Sequence, residues 1–133
     1  MITAPEQWDR GRWPNFTPRE FACRGTGRLL VAPALLDALE ALRARLGRPL
    51  AVSSGYRAPE HNRLVSSTGP AGPHTTGLAA DIAIDGEAAL RLVGHAVALG
   101  FTGIGVSQKG AGRFIHLDLL SGPAFPRPTI WSY

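Results

Sequence analysis

From Ile115 onward, the segment Phe114-Ile115-His116-Leu117-Asp118-Leu119 alternates apolar and polar residues one by one, the pattern of a half-buried strand. In a strand, successive side chains point to opposite faces, so Ile115, Leu117 and Leu119 share one face while His116 and Asp118 share the other. An aliphatic face backed by an imidazole and a carboxylate suits a sheet that carries a site better than a plain solvent face.

Working outward, Gly103 to Ser107 predicts the preceding strand, joined through the turn Gly110-Ala111-Gly112. Ala79 to Ile84 and the short run Leu50 to Ser53 read as two more strands. Pro33 opens a helix from Ala34 to Leu46, with Leu35, Leu39, Leu42 and Leu46 on one stripe and Gly47 as its stop. Pro59 suits the first turn of a short helix through Val65, and Glu87 to Leu99 reads as a second amphipathic helix ended by Gly100. Residues 66–73, rich in Ser, Thr, Gly and Pro, form a loop. The first 30 residues form an irregular aromatic lead-in (Trp8, Trp13, Phe16, Phe21) in which Thr17-Pro18-Arg19-Glu20 has the capping-box arrangement. Residues 120–133 form a proline-rich tail ending in an aromatic clasp, Ile130-Trp131-Ser132-Tyr133. This order predicts one α+β domain over residues 1–133, a small and mainly antiparallel sheet flanked by helices.

Composition agrees with one core. The chain has 133 residues, 44% hydrophobic and 18% charged, which excludes a disordered chain and a coiled coil. Glycine (16) and proline (11) are numerous but stay below the roughly 25–30% that marks low complexity. The net charge of +4 favours a polyanionic partner, for which nucleic acid, an anionic membrane and a bacterial cell wall all qualify. No arginine–aromatic platform or recognition helix is present, so nucleic acid is not expected. No apolar run reaches the ~18 residues of a membrane span, and the start MITAPEQWDRGRWP lacks the apolar core of a signal peptide. Synthesis in the cytoplasm, without membrane insertion, is the expectation. A single cysteine, Cys23, excludes an intrachain disulfide and a cysteine zinc cage, and it reads as a small buried hydrophobe.

Three segments carry chemistry. His74 leaves a proline-glycine loop and precedes Asp81 by seven residues, where Asp81 stands in an otherwise apolar strand. A carboxylate there is costly to bury unless it is paired with an arginine, caps a turn or binds a metal. His116 and Asp118 form the second segment. Two imidazoles and one carboxylate would make a mixed ligand set of the kind that holds zinc in hydrolases, with a fourth position open. The third is Ser53-Ser54-Gly55-Tyr56-Arg57-Ala58-Pro59-Glu60-His61-Asn62, in which Arg57 follows a strand and precedes a helix. Its guanidinium matches a carboxylate or a developing oxyanion, or makes an ordinary salt bridge. His95, among small apolar neighbours in a helix, reads as structural or surface.

Taken together, SGYRAPEHN, HTTGLAADI and FIHLD resemble the zinc D-alanyl-D-alanine carboxypeptidase family, closest to its small single-domain, phage-type peptidoglycan peptidases. The same fold group contains the Hedgehog signalling domain, whose zinc site is silent. The resemblance runs from about Asn15 to the C-terminus. It implies one Zn2+ ion held by His74, Asp81 and His116, with Arg57 binding substrate and steadying the transition state. Ser54, Tyr56 and His61 are expected beside Arg57 at the substrate. The implied reaction is hydrolysis of D-alanine-containing bonds in peptidoglycan peptides by metal-activated water, as a carboxypeptidase or as a cell-wall endopeptidase (endolysin), by a monomer. Phage lysis or a virion-borne position would bring it to the wall. Two departures stand out. Relatives place an acidic base three residues before the last histidine, where this chain has Arg113; Asp118 is therefore expected to be the base, or else to fix the His116 ring. Relatives also carry serine two residues before the first histidine, where this chain has Gly72. The alternative reading is a zinc-containing wall-binding or structural module with weak or no hydrolysis.

Overall fold

A computed structural model describes all 133 residues. In chain order, α1 (Pro18–Phe21) and α2 (Pro33–Leu46) precede β1 (Ala51–Ser54), and α3 (Pro59–Val65) leads through two single turns of 3-10 helix to β2 (Ala79–Ala83). Then come α4 (Gly86–Ala98), β3 (Gly103–Ser107), β4 (Phe114–Asp118) and β5 (Thr129–Ser132). The sheet order is β1-β2-β4-β3-β5, antiparallel throughout except for β5, which runs parallel to β3. The fold is the α+β class expected from the sequence, and each expected helix and strand lies within about two residues of its place. The strand β5 has no counterpart in the sequence reading. No helix is long and apolar enough to cross a membrane.

The alternation in β4 has the consequence its sequence implies. Ile115 and Leu117, with Ala80 and Ile82 of β2, face a core formed with Leu35, Leu36, Leu39 and Leu42 of α2 and Ala89, Leu92 and Ala96 of α4. Burying each such leucine removes about 1.5–3 kcal/mol worth of apolar surface from water, and this layer holds the sheet rigid beneath the site. Gly47 ends α2 at φ +74°, the left-handed stop its sequence predicts. The aromatic lead-in packs onto the same core: Trp8 lies edge-on to Trp13 at 5.8 Å, and Phe16 edge-on to Phe21 at 5.9 Å. Glu20 closes the start of α1 by accepting the Thr17 backbone N–H at 2.9 Å. Cys23 is buried, and its Sγ accepts the Ala58 N–H at 3.3 Å, a structural contact with no metal ligand near it.

Asp81 of β2 and His116 of β4 are directly opposite in the register, on the sheet face away from α2 and α4. His74 arrives from the second 3-10 turn, Pro73–Thr75, which the loop 66–73 feeds. His74 and Asp81 are seven residues apart, whereas His116 is distant in sequence and joins them because β2 and β4 are adjacent.

Candidate metal centre

The ligand-capable atoms of His74, Asp81 and His116 lie within 4.8 Å of one another, and all three side chains are buried. His74 Nδ1 sits 2.7 Å from the Gly55 carbonyl oxygen, and His116 Nε2 sits 2.8 Å from Asp118 Oδ2. A carbonyl and a carboxylate can only accept, so each of these nitrogens carries the hydrogen. The other two nitrogens, His74 Nε2 and His116 Nδ1, face Asp81 Oδ1 at 3.2 and 3.0 Å and each other at 3.2 Å. Two lone pairs and an anionic oxygen thus converge at one point, an arrangement that calls for positive charge. Two imidazoles and one carboxylate, with room for one more ligand, match the donor set of a catalytic zinc site; a calcium site would want more oxygens. The residues present therefore fit a zinc ion.

The electrostatics point the same way. Burial pushes the Asp81 carboxyl up, but once the facing nitrogens of His116 and His74 take up protons, their hydrogen bonds outweigh it and hold the group well below the usual carboxylate range. Burial lowers the His116 imidazole, yet the hydrogen bonds its protonated ring makes to Asp118 and Asp81 dominate and leave it above its ordinary value. The cluster favours whichever cation reaches it, a proton or a metal.

Asp118 does not stand where a base would. It is fully buried, and both carboxylate oxygens are taken: Oδ2 accepts from His116 Nε2 and Arg127 Nη2 (both 2.8 Å), Oδ1 from Arg127 Nε (3.0 Å) and the Leu120 N–H (3.2 Å). It lies beyond the far nitrogen of the His116 ring from the ligand cluster. Burial raises its carboxyl, but the His116 and Arg127 hydrogen bonds win and bring it to about 2. With both oxygens engaged, these contacts suit the other role weighed for Asp118, fixing the ring, better than that of a base. Arg113 pairs with Asp85 at 3.4 Å on the surface, away from the cleft.

The cleft over the cluster encloses about 1080 Å³, and Asp81 is the only carboxylate lining it. Arg57 lines it, with Nη2 3.7 Å from Asp81 Oδ2. Its backbone N–H donates to the His74 carbonyl at 2.9 Å, and Nη1 donates to Asn62 Oδ1 at 3.2 Å. Asn62 is itself buried and also donates to Thr68 Oγ1 at 2.9 Å and to the Gly69 carbonyl, tying Arg57 to the loop before His74. Sequence reasoning quoted Asn62 and gave it no role. The structure also explains Gly72: a Cβ there would lie 2.0 Å from Thr68 Oγ1 and 3.0 Å from Asn62 Nδ2, so Thr68 occupies the space a serine would need.

Ser54, Tyr56 and His61 do not line the cleft. A register shift between Val52 and Ser54 bulges β1, and Ser53 takes the cleft position instead. The Tyr56 backbone is bound to the Phe21 carbonyl at 2.8 Å, and the His61 ring lies against Gly25, where a Cβ would be 2.1 Å from Nδ1. The opposite wall was missed altogether: Phe125, Arg127, Trp131 and Tyr133 come from the tail. Trp131 lies 5.0 Å from the His116 ring, and Tyr133 packs on Phe114 at 5.1 Å.

No curated protein matches the chain significantly. A model of the family described as Peptidase M15 matches residues 14–118, a span that contains Arg57, His74, Asp81 and His116. With that match over most of its length, and with a His-Asp-His cluster suited to zinc, the chain belongs to the Peptidase M15 family of zinc D-Ala-D-Ala carboxypeptidases.

Proposed function

We propose that this chain is a zinc peptidase that hydrolyses D-alanine-containing bonds in peptidoglycan peptides. The observation that carries the reading is the convergence of His74 Nε2, Asp81 Oδ1 and His116 Nδ1, each imidazole anchored through its other nitrogen, on the floor of an open cleft. A zinc ion held there would supply Lewis-acid polarisation of the scissile carbonyl and an acidified water. The residues of the chain do the rest. Gly55 and Asp118 keep both rings turned so that their lone pairs face one point. Arg57, held by Asn62, offers its guanidinium to a substrate carboxylate or to the oxyanion formed on the carbonyl. The tail wall, with Phe125, Trp131 and Tyr133, covers the other side and keeps bulk water from the reacting bond. A net charge of +4 suits an anionic wall as the place of action, whether reached through phage lysis or from a virion.

The absence of any carboxylate but Asp81 from the cleft favours a second reading, a wall-binding module whose zinc site is silent. Mass spectrometry of defined muropeptides after incubation with zinc-loaded protein separates the two. Release of free D-alanine identifies a carboxypeptidase, and cleavage of a crosslink or stem peptide identifies an endopeptidase. Unchanged muropeptides, from protein shown to carry zinc, refute the peptidase reading.

A further inference from the structure

The family match ends at Asp118, yet residues beyond it grip the groups that hold His116. Strand β3 lies between β4 and β5, and it is glycine at both positions opposite the site residues: Gly103 pairs with Asp118, and Gly105 with His116. A Cβ on Gly103 would lie 2.3 Å from both Asp118 carboxylate oxygens. A Cβ on Gly105 would lie 2.7 Å from Trp131 Nε1 and 3.0 Å from His116 Cβ. The two missing side chains open a trough across β3, and the tail fills it. Arg127 crosses to grip Asp118 with two hydrogen bonds, at 3.0 and 2.8 Å, and is itself only 7% exposed. Trp131, paired in register with Gly105, meets the His116 ring at a tilt, 5.0 Å between centroids, and carries the Arg127 guanidinium over its own ring at 5.0 Å.

We propose that the segment 121–133 is a working part of the metal centre, and that Arg127 is its positioning residue. Arg127 holds Asp118, Asp118 holds Nε2–H of His116, and the ring is thereby fixed with Nδ1 toward the ligand cluster. Docking of β5 and binding of the metal then stabilise each other, because each favours the same arrangement of His116. The inference rests on the zinc reading above. It adds that metal affinity depends on residues two strands away from the nearest ligand in sheet order, through a pair that a lysine cannot reproduce with its single point charge.

The test measures zinc affinity by chelator competition for the unmodified chain, Arg127→Ala and Arg127→Lys. It also measures backbone hydrogen exchange of Thr129–Ser132 in the unmodified chain with and without zinc. Supporting carboxylates around metal-bound histidines are typically worth ~10–100-fold in affinity, so Arg127→Ala should lose about tenfold or more and Arg127→Lys should regain part of it. Zinc should slow exchange in β5 beyond any change in α2, which a merely structural contact would not produce. Affinity unchanged in Arg127→Ala, or β5 exchange indifferent to zinc, overturns the inference while leaving the zinc site standing. Failure of the unmodified chain to bind zinc overturns both. Should Arg127→Ala not fold, the exchange experiment on the unmodified chain decides alone.

Discussion

His74 Nε2 and His116 Nδ1 face each other at 3.2 Å, the two imidazoles presenting different nitrogens to the same point. The difference follows from what binds behind each ring: a backbone carbonyl for His74, a buried carboxylate for His116. The centre thus depends on neither histidine alone. Replacing His74 or His116 with alanine leaves two ligands, too few to retain zinc against a chelator. Elemental analysis of the purified variants should find less than a tenth of the zinc carried by the unmodified chain, and a full equivalent in either would remove that histidine from the set.

Asp118 separates orientation from proton transfer. A base would lose turnover on substitution while keeping its metal; a residue that orients His116 loses affinity first. Asp118→Asn should bind zinc about 10–100-fold more weakly, with residual turnover recovered at saturating zinc. The same carboxyl makes an acid-stability prediction. It sits at about 2 in the folded chain and near the ordinary value of about 3.9 when unfolded, so its stabilisation is complete above that value and is lost as the pH falls toward 2. The stability gap between the unmodified chain and Asp118→Asn should therefore narrow from pH 5 to pH 2 in metal-free denaturation curves. A constant gap would show that the pairing seen here does not set the carboxyl.

How much of this was legible in sequence follows from the range of each interaction. The strand alternation of residues 114–119 and the lone acid in 79–84 announce themselves locally, and His74, Asp81 and His116 follow from them with the motif resemblance. Ser54 was misplaced because a bulge leaves no mark on a four-residue strand. The tail was misread because β5 is a short, exposed edge strand among prolines, without the alternating pattern that signals a half-buried one. Its partner clue, glycine at both 103 and 105 of an expected strand, says nothing in isolation about what lies beside it. Only the sheet order shows that those glycines leave space for Arg127 and Trp131.

Gly72 offers a test of the loop that delivers His74. Its backbone, at φ −78°, suits any residue, so a serine there is opposed chiefly by Thr68, with Asn62 Nδ2 at 3.0 Å, and not by strain. Gly72→Ser should displace Thr68 from Asn62 and lower the catalytic efficiency by weakening the hold on Arg57, while zinc content stays whole. Adding Thr68→Gly to Gly72→Ser should restore part of the loss, since it removes both the hydroxyl and the Thr68 Cβ, which would itself lie 2.8 Å from a Cβ at position 72. Additive effects of the two substitutions would show that Thr68 is not what excludes the larger residue.

Arg57 itself should separate metal from substrate. Its Nη2 stands 3.7 Å from Asp81 Oδ2, longer than a hydrogen bond, so that end of the guanidinium is open to a ligand while Asn62 holds Nη1. Arg57→Ala should keep its zinc and lose about 10²–10³-fold in turnover if it holds an oxyanion. If it holds a substrate carboxylate instead, the loss appears mainly in KM. Unchanged kinetics on a cleaved muropeptide would take Arg57 out of the site.

Gly105 carries the sharpest packing prediction. A methyl group there meets the half-buried Trp131 indole at 2.7 Å and the Cβ of the buried His116 at 3.0 Å, so one of the two side chains must move. Overpacking of this kind costs about 1–3 kcal/mol. The His116 ring is the better anchored of the two, through Asp118, so the indole should yield, and β5 with it. Gly105→Ala should therefore lower the melting temperature, and it should cost less in a Trp131→Ala background than in the unmodified chain, because the colliding group is then gone. Equal cost in both backgrounds would place the collision on His116 instead, and zinc affinity would then fall in the double variant as it does in the single one.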